Sequence, residues 1–268
     1  MRALGIVISV GLTLVLSRAF AQHEPDVGDP REPVPFLADP ARRPDTARIL
    51  PPAPREGTAA YEADRRIFLA TRKFEGTPRW EQAKRDVPLD VPDMLKAYSC
   101  AAGVQLTPVK TPLLAGLLTR MSADAERAIE PAKAANRRLR PLEIDTGPVC
   151  QPREKLAGSY DYPSGHATWG WSVGLVLAEL APERSTELLA RARSYAESRV
   201  VCGAHNASAI QAGATNAAAL VAALHGSADF RAAMDAARHE MAAVRATGKL
   251  VPEASACALE AQAAAMPY

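Results

Sequence analysis

Two histidines, three fixed cations and a Ser-Gly turn stand in this chain in an order suited to handling a tetrahedral oxyanion. Lys133 is followed, after six residues, by Arg140-Pro141. Tyr162 leads into Pro163-Ser164-Gly165-His166, and Ser198-Arg199 are followed, after five residues, by His205. Lys and Arg supply the charge that an oxyanion needs, a tight turn or helix start supplies backbone N–H groups, and two imidazoles can attack, give or accept a proton. Any one island alone would mean little, because charges on helices are usually solvated and a lone histidine is often a cap. Three islands in this order carry the reading.

His205 is expected at the mouth of a helix, where bare N–H groups and the positive dipole end favour incoming negative charge. A ring nitrogen there can attack phosphorus and form a phosphohistidine that water then cleaves. His166 opens the preceding long helix, and as imidazolium it can protonate a leaving alkoxide, general acid work worth ~10²–10⁴ in rate. Pro163 and Gly165 argue for a fixed turn, with Ser164 Oγ and the Gly165 N–H as donors to a phosphate oxygen. Arg199 falls on the apolar stripe of its helix, where an unpaired cation is costly and wants an anion. Arg140 is restrained by the proline after it and can be held as a bidentate fork. His23, His225 and His239 lack such context and read as surface residues.

The elements that must position these groups read as helices. Tyr61, Ile67, Phe68 and Ala70 give helical spacing over Ala59–Lys73, and Thr77-Pro78 is a cap and first turn for a helix through Lys84. Further helices are expected from Val91-Pro92 through Cys100, from Thr111-Pro112 to Met121, and from Ala123 to Arg138, the last stopped by Pro141. Leu142–Tyr162 has no periodicity and reads as a loop beside the chemistry. Gly165–Leu180 is small and apolar all round, the pattern of a buried central helix. A helix from Pro182 ends at Gly203, another follows His205 through Leu224, and a last one spans Ser227–Thr247. The fold class is an all-α, single-domain helical bundle over residues 59–268 with no sheet.

The chain has 268 residues, 48% hydrophobic but only 5% aromatic, which favours helices over a β-sandwich. Met1-Arg2, an apolar run from Ala3 to Leu16 and Ala19-Phe20-Ala21 form a signal peptide over residues 1–21, cut before Gln22. That run is shorter than the ~20 residues of a spanning helix. No later segment reads as long and apolar enough to span, so the mature chain is expected to be soluble, without membrane contact, and periplasmic or secreted. Residues 22–58 form a Pro-rich leader, extended around or away from the body. Losing Arg2 and Arg18 balances the remaining basic residues against the 30 acidic ones, which argues against a nucleic-acid partner. Cys100, Cys150, Cys202 and Cys257 favour two disulfides, with three pairings open. Cys150–Cys202 would tie the loop before the second island to the third, and Cys100–Cys257 would then clip the tail to the body. No Cys-x-x-Cys spacing appears, and no metal ligands or cofactor are expected.

The three islands resemble those of the type 2 phosphatidic acid phosphatase superfamily, most closely its soluble bacterial class A non-specific acid phosphatases. The resemblance spans roughly Leu50 to Leu224 and includes Gly76-Thr77-Pro78-Arg79-Trp80-Glu81-Gln82-Ala83 and Ser198-Arg199-Val200-Val201-Cys202-Gly203-Ala204-His205. It implies an exported, metal-independent phosphatase acting on small phosphomonoesters through a phosphohistidine. His205 and His166 would be catalytic, and Lys133, Arg140, Ser164, Gly165 and Arg199 would bind phosphate. Lys133 rests mainly on this resemblance, which also implies a homodimer. Two departures stand out. Asp161-Tyr162 lie between Gly158-Ser159-Tyr160 and Pro163, where the family runs directly on, and Ala209 occupies the position of an aspartate four residues after the histidine. That aspartate would accept from His205 and fix its tautomer. Ser208, a backbone carbonyl or a water could accept weakly in its place, and Asn206 is a poorer candidate because it faces elsewhere. The gap at Ala209 leaves two other readings: a phosphate-binding homologue with little turnover, or a vanadate-dependent haloperoxidase, a group with similar islands.

Overall fold

The structure, a computed structural model, describes residues 33–266. The expected signal peptide, its cleavage point and the start of the leader lie outside the described residues. From Pro33 on, the leader packs against the body. The Phe36 and Leu37 N–H groups donate to the two carboxylate oxygens of Asp124 at 2.8 and 2.9 Å. Phe36 meets Phe230 edge-on, with ring centroids 5.3 Å apart. A 3-10 turn at Pro40–Arg42 and a short helix, α1 (Thr46–Ile49), interrupt the extended course.

The helices that follow are α2 (Ala59–Thr71), α3 (Pro78–Arg85), α4 (Val91–Ala102), α5 (Pro112–Asn136) and α6 (Pro141–Ile144). After a long loop come α7 (Gly165–Leu180), α8 (Ser185–Val201), α9 (Ala207–Leu224), α10 (Ala228–Ala246) and α11 (Ala254–Ala264). Among the described residues there is no strand, as the all-α reading expected. Side-chain caps start several helices: Thr58 Oγ1 accepts from the Tyr61 N–H, Thr77 Oγ1 from Trp80 and Asp90 from Asp93.

The centre of the bundle is α7. Val173, Val176 and Leu177 are fully buried, and α4, α5, α8, α9 and α10 all pack around it. Small residues allow this crowding. A Cβ at Gly174 would lie 2.6 Å from the Ala192 Cβ on α8, and one at Gly213 on α9 would lie 2.7 Å from the Ala167 Cβ. The second crossing presses the second turn of α9 against the start of α7, which carries His166. Disulfides join Cys100 to Cys257 and Cys150 to Cys202.

Four expectations need correction. The two helices expected over 111–138 are one, α5, because Ser122 Oγ bonds back to the Thr119 carbonyl at 2.8 Å instead of capping a new start. Pro141 does not stop that helix. The helix ends at Asn136, Arg137 turns left-handed, and Pro141 is the first residue of α6 with Arg140 at its N-cap. The helix ending at Ala246 is not the last, since α11 follows, held by Cys257 and by Glu260, whose Oε1 lies 3.4 Å from Arg191 Nε. Finally, α9 is long and apolar enough to cross a membrane, with a mean hydropathy of 1.3 over 18 residues. Its apolarity serves the bundle, for 56% of it is buried there.

Candidate active site

The turn from Ser159 to His166 and the segment from Arg199 to Ala207 face each other across the start of α9. The turn is tied directly to α9: the Ser164 N–H donates to the Ala209 carbonyl at 3.0 Å. Beside it, a cavity of about 420 Å³ is lined by Lys133, Arg140, Ser159, Gly165, His166 and His205 on one side. Leu89, Ala125, Ile129 and Trp169 give it an apolar wall, with Ser122 and Glu126 at its edge. Five of the seven residues expected at the site therefore share one cavity. Ser164 and Arg199 stand behind it. Ser164 is fully buried, its Oγ accepting from the Ala167 N–H at 3.3 Å to cap α7.

His205 is 2% exposed, and both ring nitrogens are engaged. Nδ1 lies 2.8 Å from the Asp161 carbonyl and 3.0 Å from Asp161 Oδ1. Two acceptors on that side assign the ring proton to Nδ1 and leave the Nε2 lone pair towards the cavity. There Arg140 Nη1 stands 3.0 Å from Nε2 and donates to the Ala204 carbonyl at 2.7 Å. Ser159 organises the other cation: its Oγ accepts from Lys133 Nζ at 2.9 Å and from Arg140 Nη2 at 3.2 Å, and its carbonyl takes Arg140 Nε at 2.8 Å.

Arg199 is completely buried at the C-terminal end of α8, with Nη2 donating to Gln151 Oε1 at 2.5 Å. Its Nε and Nη1 have no partner among the described residues. Burial pushes the guanidinium down to about 10. Its neighbour Ser198 faces away from the cavity into a separate buried network, donating to Asp86 Oδ2 at 2.6 Å and accepting from Arg79 Nη1 at 2.9 Å.

The electrostatics of the cavity all point the same way. Burial, and then the cations Arg140, Arg199 and Lys133, hold the His205 imidazole well below the usual histidine range. His166 is likewise depressed by burial and by Arg199, although its Nε2 lies 2.8 Å from the Val87 carbonyl, which favours the proton. Lys133 and Arg140 are lowered by burial. A cluster of desolvated cations and uncharged imidazoles is relieved by an anion, which stabilises every charge around it.

Residues 112–232 match the profile of the PAP2 superfamily. An acid phosphatase of Zymomonas mobilis is 38% identical to this chain over 250 residues, which is 92% of each protein. The chain belongs to the PAP2 superfamily. Its branch is that of the class A non-specific acid phosphatases. Proteins named non-specific acid phosphatase from Salmonella typhimurium and Providencia stuartii are each 34% identical, over 61% and 63% of this chain and 66% and 69% of their own.

Set against the PAP2 pattern, the structure adds a residue that the sequence reading missed. Ala209 leaves no acceptor on α9, yet His205 has one, because Asp161 reaches it from the opposite loop. Asp161 is fully buried, and Asn206 holds it with its backbone N–H on Oδ1 at 3.1 Å and its Nδ2 on Oδ2 at 2.8 Å. Of the substitutes expected, a backbone carbonyl is present, that of Asp161 at 2.8 Å, whereas Ser208 is not one: its Oγ donates to Asp64 Oδ2 at 2.5 Å and accepts from Arg138 at 2.7 Å. Asn206 faces away from His205, as expected, but towards Asp161. Ser159, Gln151 and the Val87 carbonyl were also missed. Only the unusual Asp161-Tyr162 insertion and the gap at Ala209 signalled the change, and nothing in the sequence linked them. Among the described residues no three His, Cys, Asp or Glu side chains stand together as a metal site.

Proposed function

We propose that this protein is an exported acid phosphatase that hydrolyses small phosphomonoesters through a phosphohistidine at His205, without a metal ion. The observation that carries this is the His205 ring itself, with Nε2 turned to the cavity beside Arg140 and Nδ1 occupied on its other side. Two supports are the family of the chain and the 38% identity to a protein named acid phosphatase.

Phosphate oxygens would be received by Lys133, Arg140, the buried Arg199 nitrogens and the N–H groups at the start of α7, with Ser164 shaping that turn. The His205 Nε2 lone pair forms the N–P bond as the ester P–O bond breaks, and His166 gives the leaving oxygen a proton. Since the His166 Nε2–H faces the Val87 carbonyl, the mobile proton is the one on Nδ1. Water then attacks phosphorus, His166 takes its proton back, and inorganic phosphate leaves. Because burial, and then the nearby cations, depress His166, its proton arrives with the ester monoanion or is held once that anion is bound. The apolar wall of Leu89, Ile129 and Trp169 would take the organic group.

The test is steady-state hydrolysis of a chromogenic aryl phosphomonoester by residues 22–268 with a chelator present. The expected result is turnover that survives the chelator and disappears in His205→Ala. Turnover unchanged in a folded His205→Ala protein would place the chemistry elsewhere.

A further inference from the structure

Resting on the reading above, we propose that Asp161 is the positioning carboxylate of this site, supplied from the loop ahead of Pro163 in place of the aspartate that the family pattern puts at residue 209 on α9. The two departures of the sequence from that pattern are then one exchange. Ala209 is fully buried against Tyr162, Leu50, Ala132 and Ala212. Tyr162, the second inserted residue, thus fills volume beside the short side chain, and its hydroxyl is anchored on the Pro51 carbonyl at 2.8 Å. Asp161, the first inserted residue, brings the charge. One insertion replaces both properties of the missing side chain.

The carboxylate is held for this task on every side. Oδ1 meets His205 Nδ1 and the Asn206 N–H, while Oδ2 meets Asn206 Nδ2. Arg138 Nε lies 3.7 Å from Oδ2. That guanidinium is itself fixed by Asp64 at 2.8 Å, and Asp64 accepts the Ser208 N–H at the first turn of α9. The Arg138 carbonyl accepts the Asp161 N–H at 2.9 Å.

The Asp161 carbonyl alone would hold the His205 tautomer, so the side chain contributes its charge. When Nε2 bonds to phosphorus the ring becomes cationic while keeping its Nδ1 proton, and the carboxylate 3.0 Å away offsets that charge. When water cleaves the N–P bond, the electron pair returns to Nε2. Asp161 neither gains nor loses a proton in either step.

Phosphate and vanadate separate this role from a merely structural one. Phosphate is held by the cations. Vanadate adopts the five-coordinate geometry of the transition state with a bond to the attacking nitrogen, so it senses the ring's charge. Calorimetric Kd values for both anions are measured on the wild-type chain, Asp161→Asn, Asp161→Ala and Asp161→Ala/Ala209→Asp, alongside kcat for an aryl phosphomonoester. We expect Asp161→Asn, which keeps the shape, to weaken vanadate at least about tenfold with phosphate changed less than about threefold, and to lower kcat by less than the about 10⁴ of a Ser-His-Asp site, where the same change also loses the tautomer. The double variant, in which Tyr162 still fills the space beside residue 209, should recover no vanadate affinity relative to Asp161→Ala. Phosphate and vanadate weakened in parallel, or vanadate left unchanged in Asp161→Asn, would overturn the proposal. A wild-type chain without turnover that still shows the vanadate split would defeat the phosphatase reading while leaving Asp161 as the positioning group.

Discussion

Arg140 Nη1 bridges His205 Nε2 at 3.0 Å and the Ala204 carbonyl at 2.7 Å, so one guanidinium touches both the ring nitrogen that faces the cavity and the chain that carries it. Arg140→Ala should therefore weaken competitive inhibition by phosphate about ten- to a hundredfold, since a hydrogen bond to a charged group contributes about 1.5–3 kcal/mol. Arg140→Lys should recover only part, because a point charge cannot reach Ser159 and Ala204 together. Inhibition constants unchanged in both variants would mean that the anion sits elsewhere.

Arg199 tests the same site from behind. Its two unpartnered nitrogens make it a costly buried cation in the free protein. Arg199→Met should leave the melting temperature in phosphate-free buffer equal or higher, and should abolish most of the rise that added phosphate gives the wild-type chain. A large loss of stability without phosphate would show that the guanidinium is a structural strut.

The depressed histidines give stability a defined dependence on pH. Below the unfolded value near 6.5, the unfolded chain binds protons that folded His205 and His166 refuse. Their contribution is complete above about pH 6.5 and is lost as pH falls towards the depressed folded values. Asp124, Asp161 and Glu260, raised mainly by burial, act in the opposite sense, so the comparison is made against a variant. His205→Asn should show a shallower fall in melting temperature than wild type between about pH 6.5 and 5, and phosphate should flatten the wild-type curve. Parallel curves would contradict the buried, uncharged state of His205.

The two disulfides should separate stability from activity. Cys150–Cys202 ties the loop that carries Ser159 and Asp161 to the end of α8, whereas Cys100–Cys257 clips α11 to α4, and neither of its cysteines lines the cavity. Replacing either pair with Ser should lower stability, by about 2–5 kcal/mol. Only the Cys150/Cys202 variant should also lose kcat/KM. Equal activity in the two variants would show that the loop holds its shape unaided.

Much of the bundle was legible because its signals are local. Thr77-Pro78 and the apolar circumference of Gly165–Leu180 announce their helices, and the structure has them where expected. Signals that depend on distant partners were not legible. Asp124 is spent on the Phe36 and Leu37 N–H groups, and α11 has little apolar periodicity and is held by Cys257 and Arg191. At the site, the islands named the groups around the cavity, but the acceptor for His205 comes from a loop that only the fold brings beside α9. That changes the expectation for Ala209→Asp. With Asp161 in place, a second carboxylate would enter a buried space already filled by Tyr162 and face a like charge. The single variant should lose kcat, and a tenfold gain would show that His205 lacks support.

The central claim, covalent transfer through His205, predicts a stereochemical course. A phosphomonoester made chiral at phosphorus with oxygen isotopes is presented to the wild-type chain together with an alcohol acceptor, and the configuration of the transferred phosphoryl group is read by NMR. Two in-line displacements, first onto Nε2 and then onto the acceptor, predict retention. Inversion would mean that the acceptor attacks the substrate directly, with no phosphohistidine.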